Sequence, residues 1–168
     1  MKNTSAQLTL APFNNDCGAL FSPCRKYRYT LWRIWAPDKP YACFLGLNPS
    51  TADETADDPT VRRCIDYSKR WGMGSLLMLN IFAYRSTDPE KMKAVADPVG
   101  PDNDRWIKEI AGNAGIVIAA WGNHGDHLDR GKRVLSMLEN VFCLKVNSNG
   151  QPAHPLYLRK SLEPIRLK

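Results

Sequence analysis

The run Tyr41-Ala42-Cys43-Phe44-Leu45-Gly46-Leu47, followed at once by Asn48-Pro49-Ser50-Thr51, decides how this chain folds. Seven uncharged residues in a row describe a strand buried on both faces, as in parallel sheets covered by helices. The pattern recurs in SLLMLNIF at 75–82, IVIAAW at 116–121 and residues 141–146. Between these runs, apolar residues at helical spacing predict helices at about 59–71, 88–95, 102–113 and 127–138. The first opens on Asp58-Pro59, a carboxylate cap followed by a proline suited to the first helical position. Asp102 is placed to cap the third. The alternation predicts an α/β fold of three layers, α/β/α, around a central, mostly parallel four-stranded sheet. YRYTLWRIW at 27–35 reads as one more strand, antiparallel and near a sheet edge because charges interrupt it. Residues 1–24, with Pro12, Asn14, Asn15, Gly18 and Pro23, read as an irregular arm, and 25–168 as a single domain.

A chain of 168 residues suits one core, and 23 Lys and Arg against 17 Asp and Glu leave a net charge of +6. That excess favours a polyanionic partner, a nucleic acid or nucleotide, since bound phosphates release their counterions. Five cysteines, with no C-x-x-C pair, no signal pattern and no apolar run of 18 residues, point to free thiols in the cytoplasm and away from a membrane. His124, Asp126 and His127 lack the further cysteine or histidine that a zinc site requires. No metal, cofactor or obligate protein partner is expected.

In open α/β sheets ligands bind beyond the carboxyl ends of the strands, which singles out 48–58, 83–88, 122–127 and 147–158. Asn48 can hold a water or read a base edge; equally, Asn-Pro-Ser can be a simple turn. Asp57 and Asp58 read first as a loop acid and a helix cap, with a general base or metal ligand as the minority reading. Arg62 and Arg63, just inside that helix, are candidates for phosphate. Asn80 interrupts an apolar strand and must either bond neighbouring backbone or recognise something in the site. His154, in the polar loop NSNGQPAHPLYL, can donate to an oxygen on which negative charge develops, or be an ordinary loop histidine.

Four of these segments, in this order, resemble the uracil-DNA glycosylase superfamily across residues 41–158: ACFLGLNPST, SLLMLNIFAYR, IVIAAWGNHG and AHPLYL. The chain also closely resembles an uncharacterised bacterial family, a domain of unknown function, in NPSTAD, DDPT, GPDND and HPLYL. The first resemblance implies that Asn48 orients an attacking water, Asn80 reads the pyrimidine edge and His154 stabilises the leaving base. It implies that Leu156 or Tyr157 fills the space left by a flipped nucleotide. Phe82 and Tyr84 are candidates by position for the aromatic that stacks on the base. Ser50, Thr51, Arg62, Arg63, Arg85 and Arg159 are candidates for phosphate. HPLYL lacks the serines that follow the histidine in the uracil enzymes, and Asp53, Glu54, Asp57 and Asp58 put negative charge beside the mouth. Two functions stay open: hydrolysis of an N-glycosidic bond in DNA or a nucleotide, and recognition of a modified base, nucleotide or nucleic-acid end without cleavage.

Overall fold

The structure, a computed structural model, describes residue 13 and residues 15–168. The chain is α/β, built on one mixed sheet of seven strands. In chain order the strands are β1 (Cys17–Phe21), β2 (Arg28–Ile34), β3 (Tyr41–Gly46), β4 (Ser75–Asn80), β5 (Ile116–Ala119), β6 (Val141–Cys143) and β7 (Ile165–Arg166). The helices are α1 (Pro59–Arg70), α2 (Pro89–Ala94), α3 (Asn103–Gly112) and α4 (Arg130–Ser136). Across the sheet the order is β1-β2-β4-β3-β5-β6-β7.

The middle four strands, β4-β3-β5-β6, pair in parallel, while β1, β2 and β7 pair antiparallel. Every residue of β3 and β4 is buried, which is why both read as unbroken apolar runs. Their side chains alternate between two cores. Phe44, Leu76 and Met78 join Val61, Cys64 and Tyr67 of α1, whereas Leu45, Leu77 and Leu79 join Ile107 and Ile110 of α3 and Val134 of α4.

Two expectations need correction and a third is sharpened. Four strands and one edge strand understate a seven-stranded mixed sheet. Strand β2 is antiparallel and near the edge as expected, but it is not the edge strand itself, because β1 covers it. And residues 17–21, expected in an irregular arm, form that covering strand; Gly18 is small there because a Cβ would fall 2.2 Å from Trp32 Cζ2. Of the arm, residues 1–12 and 14 lie outside the described residues. The β1–β2 register shifts at one point: Leu20 faces Thr30 but Phe21 faces Arg28, so Tyr29 is an extra residue in the ladder.

The chain leaves the end of β3 through α1 to reach β4 on one side, and leaves the end of β5 through α4 to reach β6 on the other. The two connections therefore diverge at the carboxyl ends of β3 and β5. Such a divergence opens a crevice in the sheet, the usual place for a ligand in an open α/β fold.

Candidate functional site

A cavity of about 370 Å³ opens at that crevice, within the size range of small-molecule sites. Gly46, Leu47 and Asn48 bring it the end of β3, Asn80 the end of β4, and Trp121 and Gly122 the residues beyond β5. Asp58, Thr60 and Val61 contribute the start of α1, Ser86, Thr87 and Pro89 the loop into α2, and His154 the loop after β6.

Local structure explains how each polar group is set. Asn48 donates its amide to the carbonyl oxygens of Ser86 at 2.8 Å and Tyr84 at 3.4 Å, joining two mouth loops and leaving Oδ1 as an acceptor without a partner among the described residues. Asn80 faces Gly46 across the ladder, and a Cβ on that glycine would come within 2.8 Å of Asn80 Oδ1. Asn80 is only 3% exposed, yet its Nδ2 has no hydrogen-bond partner among the described residues. Its backbone is pinned from behind, where Asn103 Nδ2 donates to the carbonyls of Asn80 and Ile81 and Arg130 Nε donates to Ile81. The GPDND run thus plays a structural part, in which Asn103 and Asp104 start α3, hold the end of β4 and pair with Arg130. Asp102 sits at the cap of α3 without making a side-chain cap bond.

His154 Nδ1 accepts the amide of Leu156 at 3.3 Å, so the neutral ring carries its proton on Nε2. Burial holds this imidazole below its ordinary pKa, with the charge of Asp58 pulling the other way. The loop is tied to α1, as Arg63 donates to the Leu156 carbonyl and Tyr67 to that of Arg159. Trp121, 2% exposed, donates Nε1 to Gln151 at 2.8 Å. Its indole fits only because Gly125 and Gly131 lie against it; a Cβ on Gly125 would fall 2.0 Å from Cδ1.

The acidic segment beside the mouth is largely spoken for. Asp53 accepts the amides of Thr55 and Ala56, Glu54 pairs with Arg25, Asp57 pairs with Arg33 at 2.8 Å, and Asp58 caps α1 through Val61 at 2.8 Å. Arg33 also donates to the carbonyls of Asp53, Glu54 and Ala56, so β2 clamps the whole segment.

Of the residues singled out by sequence, the cavity gathers Asn48, Ser50, Asp58, Asn80, His124 and His154. The others lie elsewhere. Phe82 is fully buried beside the His127 ring, and Tyr84 packs edge-on against Tyr27. Neither lines the cavity; Trp121 does. Thr51 is exposed, Leu156 is half-buried outside the lining, and Tyr157 stands 89% exposed. Arg62 donates to the Asp57 carbonyl, Arg85 lies over the Phe21 ring, and Arg159 is exposed, so with Arg63 none of the four candidate phosphate arginines lines the cavity. The arginine that does is Arg28, which sequence reasoning passed over. No cluster of three or more His, Cys, Asp or Glu that could hold a metal occurs among the described residues.

The family model described as a protein of unknown function (DUF1643) matches residues 28–156, well over half of the chain. The chain belongs to this family. The DUF1643 span opens on Arg28 and takes in Asn48, Asp58, Asn80, Trp121 and His154, so the residues that line the cavity lie within the family region. No curated protein matches the chain, and no solved structure does. No helix among the described residues is long and apolar enough to cross a membrane.

Proposed function

We propose that the cavity takes up a nucleobase, carried by a nucleotide or a nucleic-acid strand, and hydrolyses its N-glycosidic bond. The observation that carries this reading is the Asn80 amide, without a partner among the described residues and buried in a cavity it shares with Asn48 and His154. A buried donor without a partner costs about 1–3 kcal/mol, a cost that a ligand acceptor at the site would offset. The motif order resembling the uracil-DNA glycosylase superfamily and the net charge of +6 support the same reading.

In this scheme Trp121 offers its flat face to the base and Asn80 its amide to the base edge. Asn48 Oδ1 accepts from a water and holds it near the anomeric carbon. The water oxygen bonds to that carbon, the C–N bond breaks, and its electron pair leaves with the base. His154 Nε2–H donates to the base oxygen on which charge gathers, and the proton lost by water ends on the base.

One observation favours the second reading, recognition without cleavage. Both donors of Asn48 are spent on loop carbonyls, and the amide oxygen that remains is a weak base for activating water. Incubating the purified protein with damaged-base oligonucleotides, nucleosides and nucleotides, with mass spectrometry of bound and released species, decides between them. Released base selects hydrolysis, retention without release selects recognition, and neither binding nor release for any member sinks both.

A further inference from the structure

Three arginines are buried among the described residues: Arg28, Arg33 and Arg130. Two are satisfied as buried cations usually are, by a carboxylate plus carbonyl oxygens. Arg33 pairs with Asp57 and uses all three guanidinium nitrogens; Arg130 pairs with Asp104 and also donates to Ile81. Arg28 is different. It is 3% exposed, it makes no ion pair among the described residues, and its side-chain hydrogen bond there runs from Nη1 to the Ala52 carbonyl at 2.6 Å. Its Nε is buried without a partner among those residues, and the side chain lines the cavity.

Taking a guanidinium out of water without a counter-ion is costly, and a fold that keeps one in a cavity wall has left room for an anion. We propose that Arg28 is the anion subsite of this cavity and receives a terminal phosphate ester, so that the ligand is a nucleotide in place of an uncharged nucleoside. The inference rests on the nucleobase reading for the remainder of the ligand. A guanidinium fork suits phosphate, since two N–H groups can meet two oxygens at once. Ser50 and Thr60 place hydroxyls in the same cavity wall. The Asp58 carboxylate also lines the cavity; it acts on Arg28 from beyond ion-pair distance, and one of its oxygens is spent on Val61.

A terminal phosphate is preferred over a backbone diester for a geometric reason. With Arg28 only 3% exposed, the phosphate must enter the cavity, and a diester would have to bring a chain in and carry it out again. Burial draws the Arg28 pKa down to about 10, which still leaves it cationic at neutral pH. None of the arginines outside the cavity is required.

Isothermal titration calorimetry on the full chain tests this with nucleosides, their 5′- and 3′-monophosphates, 5′-phosphorylated and unphosphorylated oligonucleotides, and inorganic phosphate. A monophosphate is expected to bind about 10- to 100-fold more tightly than its nucleoside, the range of a charge-assisted hydrogen bond. Inorganic phosphate should compete with it. Arg28→Lys should retain part of that preference and Arg28→Met should lose it. Since Arg28→Met can also loosen the loop at Ala52, the wild-type comparison of nucleoside with monophosphate is decisive without it. Equal binding of the two would overturn the anion subsite and leave the nucleobase reading standing. Direct binding of inorganic phosphate, with no binding of any nucleoside or nucleotide, would keep the subsite and remove the nucleobase. A phosphorylated oligonucleotide binding more tightly than the mononucleotide would keep the terminal phosphate and place it on a strand end. Tighter binding of unphosphorylated oligonucleotide than of any monophosphate would overturn the proposal in favour of a backbone contact.

Discussion

Asn103 Nδ2 donates to the backbone carbonyl of Asn80 at 2.9 Å, so the residue whose side-chain Nδ2 lacks a partner among the described residues is held rigidly from the opposite side of its own strand. Asn103 is fully buried and never reaches the cavity. Replacing it with alanine orphans the Asn80 carbonyl, while Ile81 keeps Arg130. A loss of about 1–3 kcal/mol in urea unfolding is expected, with ligand affinity falling in parallel. Unchanged affinity in a destabilised but folded variant would separate the support from the site.

Asn80 itself should behave in the opposite way. Leucine at this position removes an unsatisfied buried donor, and apolar replacement of such a group is often neutral or stabilising. Asn80→Leu is therefore expected to keep its melting temperature or raise it, and to lose discrimination among bases in the binding panel. A variant that binds every base as the parent does would deny Asn80 a part in recognition.

The two catalytic roles proposed for Asn48 and His154 predict losses of about 10²–10³-fold in base release for each alanine variant, the size expected for one preorganised hydrogen-bonding group. Quantifying released base in single-turnover reactions measures this. Full activity in both variants would dismiss the mechanism.

His154 also makes the site sensitive to acid. Its folded pKa lies below the ordinary value of about 6.5, chiefly because burial disfavours the imidazolium. Its contribution to stability is thus fully present above about pH 6.5 and is lost as pH falls through the lower, folded value. Protonation would also take Nδ1 away from the Leu156 amide. The His154 ring resonances should titrate with a midpoint below about 6.5, and His154→Gln should flatten stability over that window. A midpoint above the ordinary value would contradict the burial.

The acidic segment offers a paired comparison. Asp57 is 27% exposed against an Arg33 side chain at 9%, whereas Glu54 and Arg25 are 43% and 55% exposed. Breaking the first pair with Asp57→Ala should cost about 3 kcal/mol. Glu54→Ala should cost no more than about 1 kcal/mol. Equal costs by urea denaturation would mean that the clamp at Arg33 rests on the carbonyls alone.

How much of this is legible in the sequence depends on whether local composition and tertiary role agree. Residues 41–46, 75–80 and 116–119 are almost wholly apolar because both faces are covered, so pattern and burial coincide. CGALF at 17–21 is short and contains a glycine chosen by Trp32, a long-range reason that no local pattern carries. Within the site, Asn48, Asn80 and His154 stand out as polar residues interrupting or following apolar strands. Arg28 does not, since an arginine in a strand with charged neighbours looks like one on a solvated face. Trp121 is hidden at the end of a hydrophobic strand, where an aromatic needs no special explanation; only its packing against Gly125 and Gly131 reveals its seat.

The extra residue in the β1–β2 ladder decides where that arginine points. Leu31 and Arg33 face the α1 side of the sheet, and strict alternation would send Tyr29 there and turn Arg28 towards α3. By inserting Tyr29 between Thr30 and Arg28, the bulge reverses the parity of the strand, and Arg28 reaches the Ala52 carbonyl on the α1 side. The charge at the cavity wall is thus specified by counting as much as by identity. One residue added to β1 between Leu20 and Phe21 would give Tyr29 a partner, restore strict alternation and carry Arg28 out of the site with every side chain of β2 unchanged. The cavity's cation therefore depends on the length of a strand that never touches the cavity.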